Sequence, residues 1–390
     1  MRRGRGARTG ALLLVLLALA AAAWVWRTPP RTHARTRTVV QPVWRLRDVH
    51  SFLASRRERP LGALSAPAPG AWERVDATFP NVSDLHTLRT LAHMATQAYY
   101  ATPAAIPDAP EWSWAHGFGW EDEGLRGHVF RMDDARVVVV ALKGTSASFL
   151  PGGQTGQRDK ENDNLLFSCC CARVGSDWTP VCGCADDAHR CDSACVSRAL
   201  LERSLYYPAA TDLYNNLSYQ FPNSQVWITG HSLGGVLASF LGMTFGVPAV
   251  AFESPGDRLA AQRLHLPLPP GSWSDEEAFA VAPVTHVYNT ADSLATGQCQ
   301  GPLSLCGRTG FAMETRCHAG QSIVYDTTRY LGWSVGVLAH RITQVITELL
   351  TEDWEARARR AGRAPADGLG AVPKPARETL CQDCNNWQFT

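Results

Sequence analysis

Along the chain, short runs of apolar and β-branched residues alternate with longer stretches in which apolar residues recur every three or four positions. The first helical pattern covers Val82 to Ala98, where Leu85, Leu88, Leu91, Ala92 and Ala95 share one face. His128-Val129-Phe130-Arg131 reads as a short strand, and Asp133-Asp134 as its hairpin turn. Val137 to Leu142 is a continuous apolar run, the pattern of a strand buried on both faces. Cys195 to Tyr219 reads as one amphipathic helix, with Leu200, Leu201, Leu205, Ala210, Leu213 and Leu217 on its inner face, stopped by Phe221-Pro222-Asn223. A strand at Val226 to Thr229 then runs into a glycine-rich turn, and Val236 to Met243 leaves it as a buried helix. Val247 to Phe252 reads as a further buried strand, Thr285 to Asp292 as a strand ending in an acidic residue, and Ile342 to Leu350 as an apolar helix. The pattern suits one large α/β domain with additions at both ends.

The additions have their own composition. Ala11 to Trp26 is an uncharged, strongly apolar run preceded by Arg2, Arg3, Arg5 and Arg8. A cleaved signal peptide would start this way. A membrane-crossing helix needs about 17–25 apolar residues, and the run extended to Thr9 reaches that length. Trp24 and Trp26 suit an interfacial belt, which favours an anchor. The expected organisation is a basic segment at 1–8, a signal anchor at 9–26, a poorly ordered stalk at 27–77 with some local structure around Val43-Trp44-Arg45-Leu46, the catalytic domain at 78–350 and a flexible tail at 351–390. Within the domain, the irregular stretch 146–195 carries Leu165-Leu166-Phe167 and seven cysteines. It reads as a mobile lid, as a surface loop pinned by disulfides, or as both together.

Composition narrows the chemistry. The apolar fraction of 45% supports a real core, and a net charge of +1 gives no global pull towards nucleic acid. Twelve cysteines in 390 residues point to an oxidising compartment. The sequons at Asn81 and Asn216 are meaningful only there. Cys182-x-Cys184 and Cys191-x-x-x-Cys195 also have zinc-like spacing, which keeps a metal as the alternative to disulfides. Cys381-x-x-Cys384 is expected to form a small local disulfide or to pair with the body of the domain.

The glycine-rich turn carries the reaction chemistry. Gly230-His231-Ser232-Leu233-Gly234 places a serine on a sharp bend between strand and helix, with its hydroxyl at the top of the sheet. Gly230 and Gly234 stand where a side chain would collide as strand and helix pass each other. Ser232 also lies at a helix N-terminus, which favours a developing negative charge. Neighbours on such a bend point apart, so His231 reads as structural. An activated serine needs a base, and the base needs an orienting carboxylate, in the order Ser, Asp, His in a hydrolase of this kind. Asp292, at the end of a predicted strand, is the preferred acid, with Asp257 as its rival. His340 is the preferred base, with His318 as its rival. The backbone N–H groups of Leu233 and Thr145 are the expected oxyanion donors, and the Thr145 hydroxyl can add a third bond. No metal or organic cofactor is called for.

Gly230 to Gly235, together with Lys143-Gly144-Thr145, Phe252-Glu253-Ser254-Pro255-Gly256 and Tyr288-Asn289-Thr290-Ala291-Asp292, resembles the class 3 triacylglycerol lipases. The segments Leu166 to Val174, Ala312 to His318 and Ile323 to Asp326 are similar, more narrowly, to the fungal vacuolar autophagy lipases. The likeness covers roughly Asn81 to Leu350. It implies an α/β-hydrolase-like central sheet, mostly parallel and flanked by helices, behind an N-terminal membrane anchor. It implies a triad at Ser232, Asp292 and His340. It also implies a glycosylated, type II membrane protein of endosomal and multivesicular-body membranes, delivered to the vacuole, that hydrolyses membrane glycerolipids. Ala291 to Gly297 lacks the proline that the family places after the acid. The alternative is a catalytically silent lipid-binding or tethering protein that keeps the fold. A peptidase or thioesterase is a third reading.

Overall fold

The computed structural model describes residues 34–58, 67–121, 124–146, 155–174, 178–186, 189–203, 206–270, 275–363 and 368–390. The apolar run expected to form the anchor, 9–26, lies outside the described residues. Among the described residues no helix is long and apolar enough to cross a membrane.

The centre is a seven-stranded sheet. Its strands are β3 (Trp112–Phe118), β4 (Gly127–Met132), β5 (Val137–Leu142), β7 (Gln225–His231), β8 (Ala249–Phe252), β9 (Val284–Asn289) and β10 (Gln321–Tyr325). They lie in the order β10-β9-β8-β7-β5-β4-β3. β5, β7, β8, β9 and β10 run parallel, and β4 and β3 extend that sheet antiparallel through the Asp133-Asp134 turn. A small strand β6 (Arg190–Cys191) pairs outside this sheet.

All six residues of β5 are buried, as a strand covered on both faces requires. Val138, Val140 and Leu142 pack on one side, against the helix Leu233–Phe245 and the helices of the cysteine-rich insertion. Val137, Val139 and Ala141 pack on the other, with the helix Leu85–Gln97 and the segment around Trp354. The helix Leu85–Gln97 starts where Asp84 caps the Thr87 N–H at 2.9 Å.

Three expectations are corrected and one alternative is set aside. Part of the stretch assigned to a stalk is folded: β1 (Thr38–Leu46) pairs antiparallel with β2 (Trp72–Pro80), burying Val43, Leu46, Trp72 and Ala77. The tail is folded as well. It holds the helix Trp354–Arg360 and β11 (Gln388–Phe389), which pairs with β6. Disulfides Cys169–Cys384 and Cys317–Cys381 fasten it to the body. The helix expected from Cys195 to Tyr219 is two, Ser193–Arg203 and Tyr206–Gln220; Pro208 sits in the first turn of the second, where its missing N–H costs least. Finally, the zinc alternative loses its ligands. The sulfurs of Cys171, Cys182 and Cys184 lie within 4.8 Å of one another, but Cys171 is bonded to Cys182 and Cys184 to Cys195. With Cys170–Cys191 and Cys299–Cys306, all twelve cysteines are paired.

Candidate active site

Ser232 sits between β7 and the helix Leu233–Phe245 with φ +58° and ψ −129°, a conformation costly for a residue with a side chain. The bend exists because its neighbours have no side chains. A Cβ at Gly230 would lie 2.3 Å from the Gly234 carbonyl carbon, and one at Gly234 would lie 2.3 Å from the Leu142 oxygen. The bend therefore presses against the end of β5.

His340 Nε2 lies 2.9 Å from Ser232 Oγ, and His340 Nδ1 lies 2.7 Å from Asp292 Oδ2. Asp292 is fully buried, and its Oδ1 accepts the Leu294 N–H at 2.8 Å. Burial alone would raise the Asp292 pKa, but the charge and hydrogen bond of His340 outweigh it and hold the carboxyl below its usual range. An ionised Asp292 accepts from Nδ1–H. That leaves the Nε2 lone pair free to accept the Ser232 hydroxyl proton.

The loop that carries His340 is docked at three points. The Gly336 N–H donates to Ala291 O at 2.9 Å, and Asn289 Nδ2 donates to Ala339 O at 2.9 Å. His231 Nε2 donates to His340 O at 2.7 Å. His231 Nδ1 must then accept, and it does so from the Tyr99 hydroxyl at 2.6 Å. Burial first, then the proximity of His340, pushes His231 down to about 3, so it is a neutral strut.

The rival residues lie elsewhere. Asp257 accepts the Ala319 N–H at 2.9 Å and stands 3.4 Å from His286 Nε2. His318 has both ring nitrogens engaged: Nδ1 donates to Glu378 at 2.7 Å and Nε2 to Ser254 O at 3.0 Å.

Leu233 is the first residue of the helix after the bend, and Thr145 lies in the loop after β5. Among the described residues, neither N–H has a protein acceptor. The adjoining Gly144 packs tightly on the bend, since a Cβ there would lie 2.2 Å from His231 O and 3.1 Å from Ser232 Cβ. The Thr145 hydroxyl does not stand free as a third oxyanion donor. It donates to Asp163 Oδ2 at 2.7 Å. Burial pushes Asp163 up to about 8.

Asp159, one turn earlier on the same helix (Gly156–Phe167), pairs with buried Lys143 at 3.2 Å and accepts the Tyr206 hydroxyl at 2.7 Å. That helix is thus tied to the loop after β5, and the cysteines that follow it are bridged. The disulfide-pinned reading fits these residues better than a mobile lid does. Of the sequons, Asn81 is half-buried at the end of β2, and Asn216 is exposed on the helix Tyr206–Gln220.

The sequence pattern of the family described as Lipase (class 3) matches residues 181–248, the stretch that includes Ser232. A protein of Mycosarcoma maydis named as a lipase, ATG15, is 46% identical over 91% of this chain and 76% of its own length. The protein of the same name from Cryptococcus neoformans (strain B-3501A) is 43% identical over 82% of this chain and 70% of its own length. This chain belongs to the fungal autophagy-related class 3 lipases. It is a lipase, an ester hydrolase, built on the α/β-hydrolase architecture. Among solved structures, the nonglycosylated LIP2 lipase of Yarrowia lipolytica matches at 12% identity over 62% of this chain and 79% of its own, with a TM-score of 0.34, a likeness too slight to bear on the chemistry.

Sequence reasoning missed several residues of the lipase site. Half-buried Tyr99 and the buried Asp163, Glu253 and Asn289 all touch the machinery. Only Glu253 left a signal, an acidic residue directly after an all-apolar strand.

Proposed function

We propose that this lipase is a lumenal, membrane-anchored serine hydrolase that cleaves acyl esters of membrane glycerolipids, either phospholipid or triacylglycerol. Ser232 Oγ attacks the ester carbonyl while His340 Nε2 takes its proton. The N–H groups of Leu233 and Thr145 hold the oxyanion that forms. His340 then gives the proton to the departing alcohol, and water, activated by the same imidazole, releases the acid. Asp292 keeps the imidazole in the tautomer that can accept from serine. The observation that carries this reading is the unbroken chain of hydrogen bonds from Asp292 through His340 to Ser232.

The lumenal placement is supported by six disulfides, which persist in oxidising compartments. The apolar run Ala11 to Trp26 supports an anchor; arginines flank it on both sides, so type II topology rests on the disulfides, which favour a body on the lumenal side. The kinship with autophagy-related lipases supports a role in lysing autophagic and multivesicular-body vesicles in the vacuole.

The test compares wild type with Ser232→Ala on glycerophospholipid vesicles and triacylglycerol emulsions, reading released fatty acid. A fluorophosphonate probe is applied to both. Wild type should release acid and label at Ser232, and the variant should do neither. Undiminished release by the variant overturns the assignment. Absence of labelling in wild type would favour a silent lipid-binding protein.

A further inference from the structure

Glu253 follows the last residue of β8 with φ +44°, a left-handed conformation that suits glycine better than glutamate. Its N–H still donates to Val287 O at 2.9 Å, so the backbone remains in register with β9. The side chain has no exposed surface. It lies in hydrogen-bond contact with Asp292, the carboxylate that holds His340. Asn289 fixes it from the other side: Nδ2 donates to Glu253 Oε1 at 2.9 Å and the backbone N–H reaches Oε2 at 3.3 Å. The same Asn289 amide also donates to Ala339 O, in the loop that carries His340. A buried acid, a strained backbone and a shared asparagine thus converge behind the base.

Two carboxyls in contact and out of water cannot both be ionised. Asp292 is the one that faces His340, and it retains its charge. The proton between them therefore belongs to Glu253. Burial, then the charge of Asp292, drives the Glu253 carboxyl well above its ordinary range. The other ionisable groups nearby are Tyr288 on β9, His231 on β7 and, beyond Asp292, His340 itself.

We propose that Glu253 is a positioning residue of this lipase, a neutral carboxyl that donates its proton's hydrogen bond to Asp292 and so holds Asp292 and His340 in line with Ser232. The proposal rests on the reading of Ser232, His340 and Asp292 given above. A neutral donor stabilises the Asp292 carboxylate at little electrostatic cost, whereas a second anion would pull Nδ1–H and Asp292 out of line.

A protonated carboxyl and a primary amide have nearly the same shape, and both can donate to Asp292 and accept from Asn289. The test therefore compares Glu253→Gln with Glu253→Met in the full chain. It uses a soluble short-chain p-nitrophenyl ester, so that membrane docking does not enter. Glu253→Met should lower kcat by roughly ten- to a hundredfold with KM little changed, the size of a lost hydrogen bond to a charged group. Glu253→Gln should restore most of that loss and stay active to higher pH than wild type, because the amide has no proton to give up. The proposal is overturned if Glu253→Gln is as impaired as Glu253→Met, if it fails to fold, or if Glu253→Met matches wild type. Ser232→Ala in the same assay separates the two readings. If it keeps full activity, the triad itself is wrong; if it is dead while Glu253→Met is fully active, only the role of Glu253 is wrong.

Discussion

His318 and Glu378 form a buried ion pair whose strength should be readable as pH-dependent stability. His318 is nearly inaccessible and donates to Glu378 twice, through Nδ1 at 2.7 Å and through its own N–H at 2.8 Å. Tyr288 and Ser322 donate to the same carboxylate at 3.1 and 3.2 Å. Burial alone would lower the His318 pKa, but the charge and hydrogen bond of Glu378 outweigh it and raise His318 from 6.5 to about 9. Burial likewise opposes ionisation of Glu378, and His318 overrides it, bringing the carboxyl from 4.5 to about 2. Both shifts describe one interaction, so they are not added. A raised histidine contributes stability that is complete below its unfolded pKa of 6.5 and is lost as pH rises through about 9. A lowered glutamate contributes stability that is complete above 4.5 and is lost as pH falls through about 2. Between 4.5 and 6.5 the pair is whole. The His318 shift corresponds to about 3 kcal/mol. In a body spanning Arg35 to Thr390, that is a drop in Tm of about 4 °C. Glu378→Gln keeps the shape and removes the charge. Thermal unfolding of the oxidised full chain should show that drop at about pH 5.5 and almost none at about pH 9.5. An equal shift at both pH values, or none at the lower one, would refute the argument.

Three further predictions concern the loop after β5 and the tail. Gly144→Ala would force a Cβ to within 2.2 Å of His231 O, so the loop must move off the serine bend. Displacement on that scale should cut kcat on a soluble ester by about a hundredfold, and an unchanged kcat would contradict the tight packing. Thr145→Val keeps the backbone N–H but removes the hydroxyl that donates to Asp163. Loss of about tenfold in kcat is expected, measured under mildly acidic conditions where Asp163 is protonated, and wild-type turnover would deny that bond a role. Cys384→Ser opens the bridge to Cys169, which spans 215 residues. It should cost about 2–4 kcal/mol in denaturant unfolding, with the mixed-disulfide state checked by mass spectrometry. A midpoint equal to that of wild type would show that the tail is held by other contacts.

Much of the sheet is legible in the sequence because buried parallel strands write themselves as unbroken apolar runs. Val137 to Leu142, Val226 to Thr229 and Val247 to Phe252 are read directly, each within a residue or two of its observed limits. β3 escapes, and β1 shows only as local structure around Val43 to Leu46, because both are edge elements of mixed polarity. In β1, only Val43 and Leu46 of nine residues are buried, and its partner β2 begins 26 residues later. Such a strand exists because of its pairing, not its own pattern, and pairing at that distance leaves no local signature. The tail escapes for the same reason. Arg, Gly, Pro and Ala there read as solvated chain, and only Cys381 and Cys384 signal a tie to the body, one of the two readings of their spacing, which Cys317 and Cys169 complete.

The site divides along the same physical line. Ser232 is announced by glycines that sterics demand on both sides of it, so a local rule locates it. Asp292 and His340 are found by chain order and by their position near the ends of recognisable elements, and the structure brings both to Ser232. What chain order cannot show is the partner of a partner. His318 and His340 are equivalent as letters. One is placed 2.9 Å from a serine, and the other is committed to a glutamate 60 residues further on. Glu253 and Asp292 are likewise two acids after two strands, distinguished only when both are buried together and one must carry the proton. The polar groups that set protonation in this lipase are chosen by contacts between segments distant in sequence, so they become readable only after the fold has placed them.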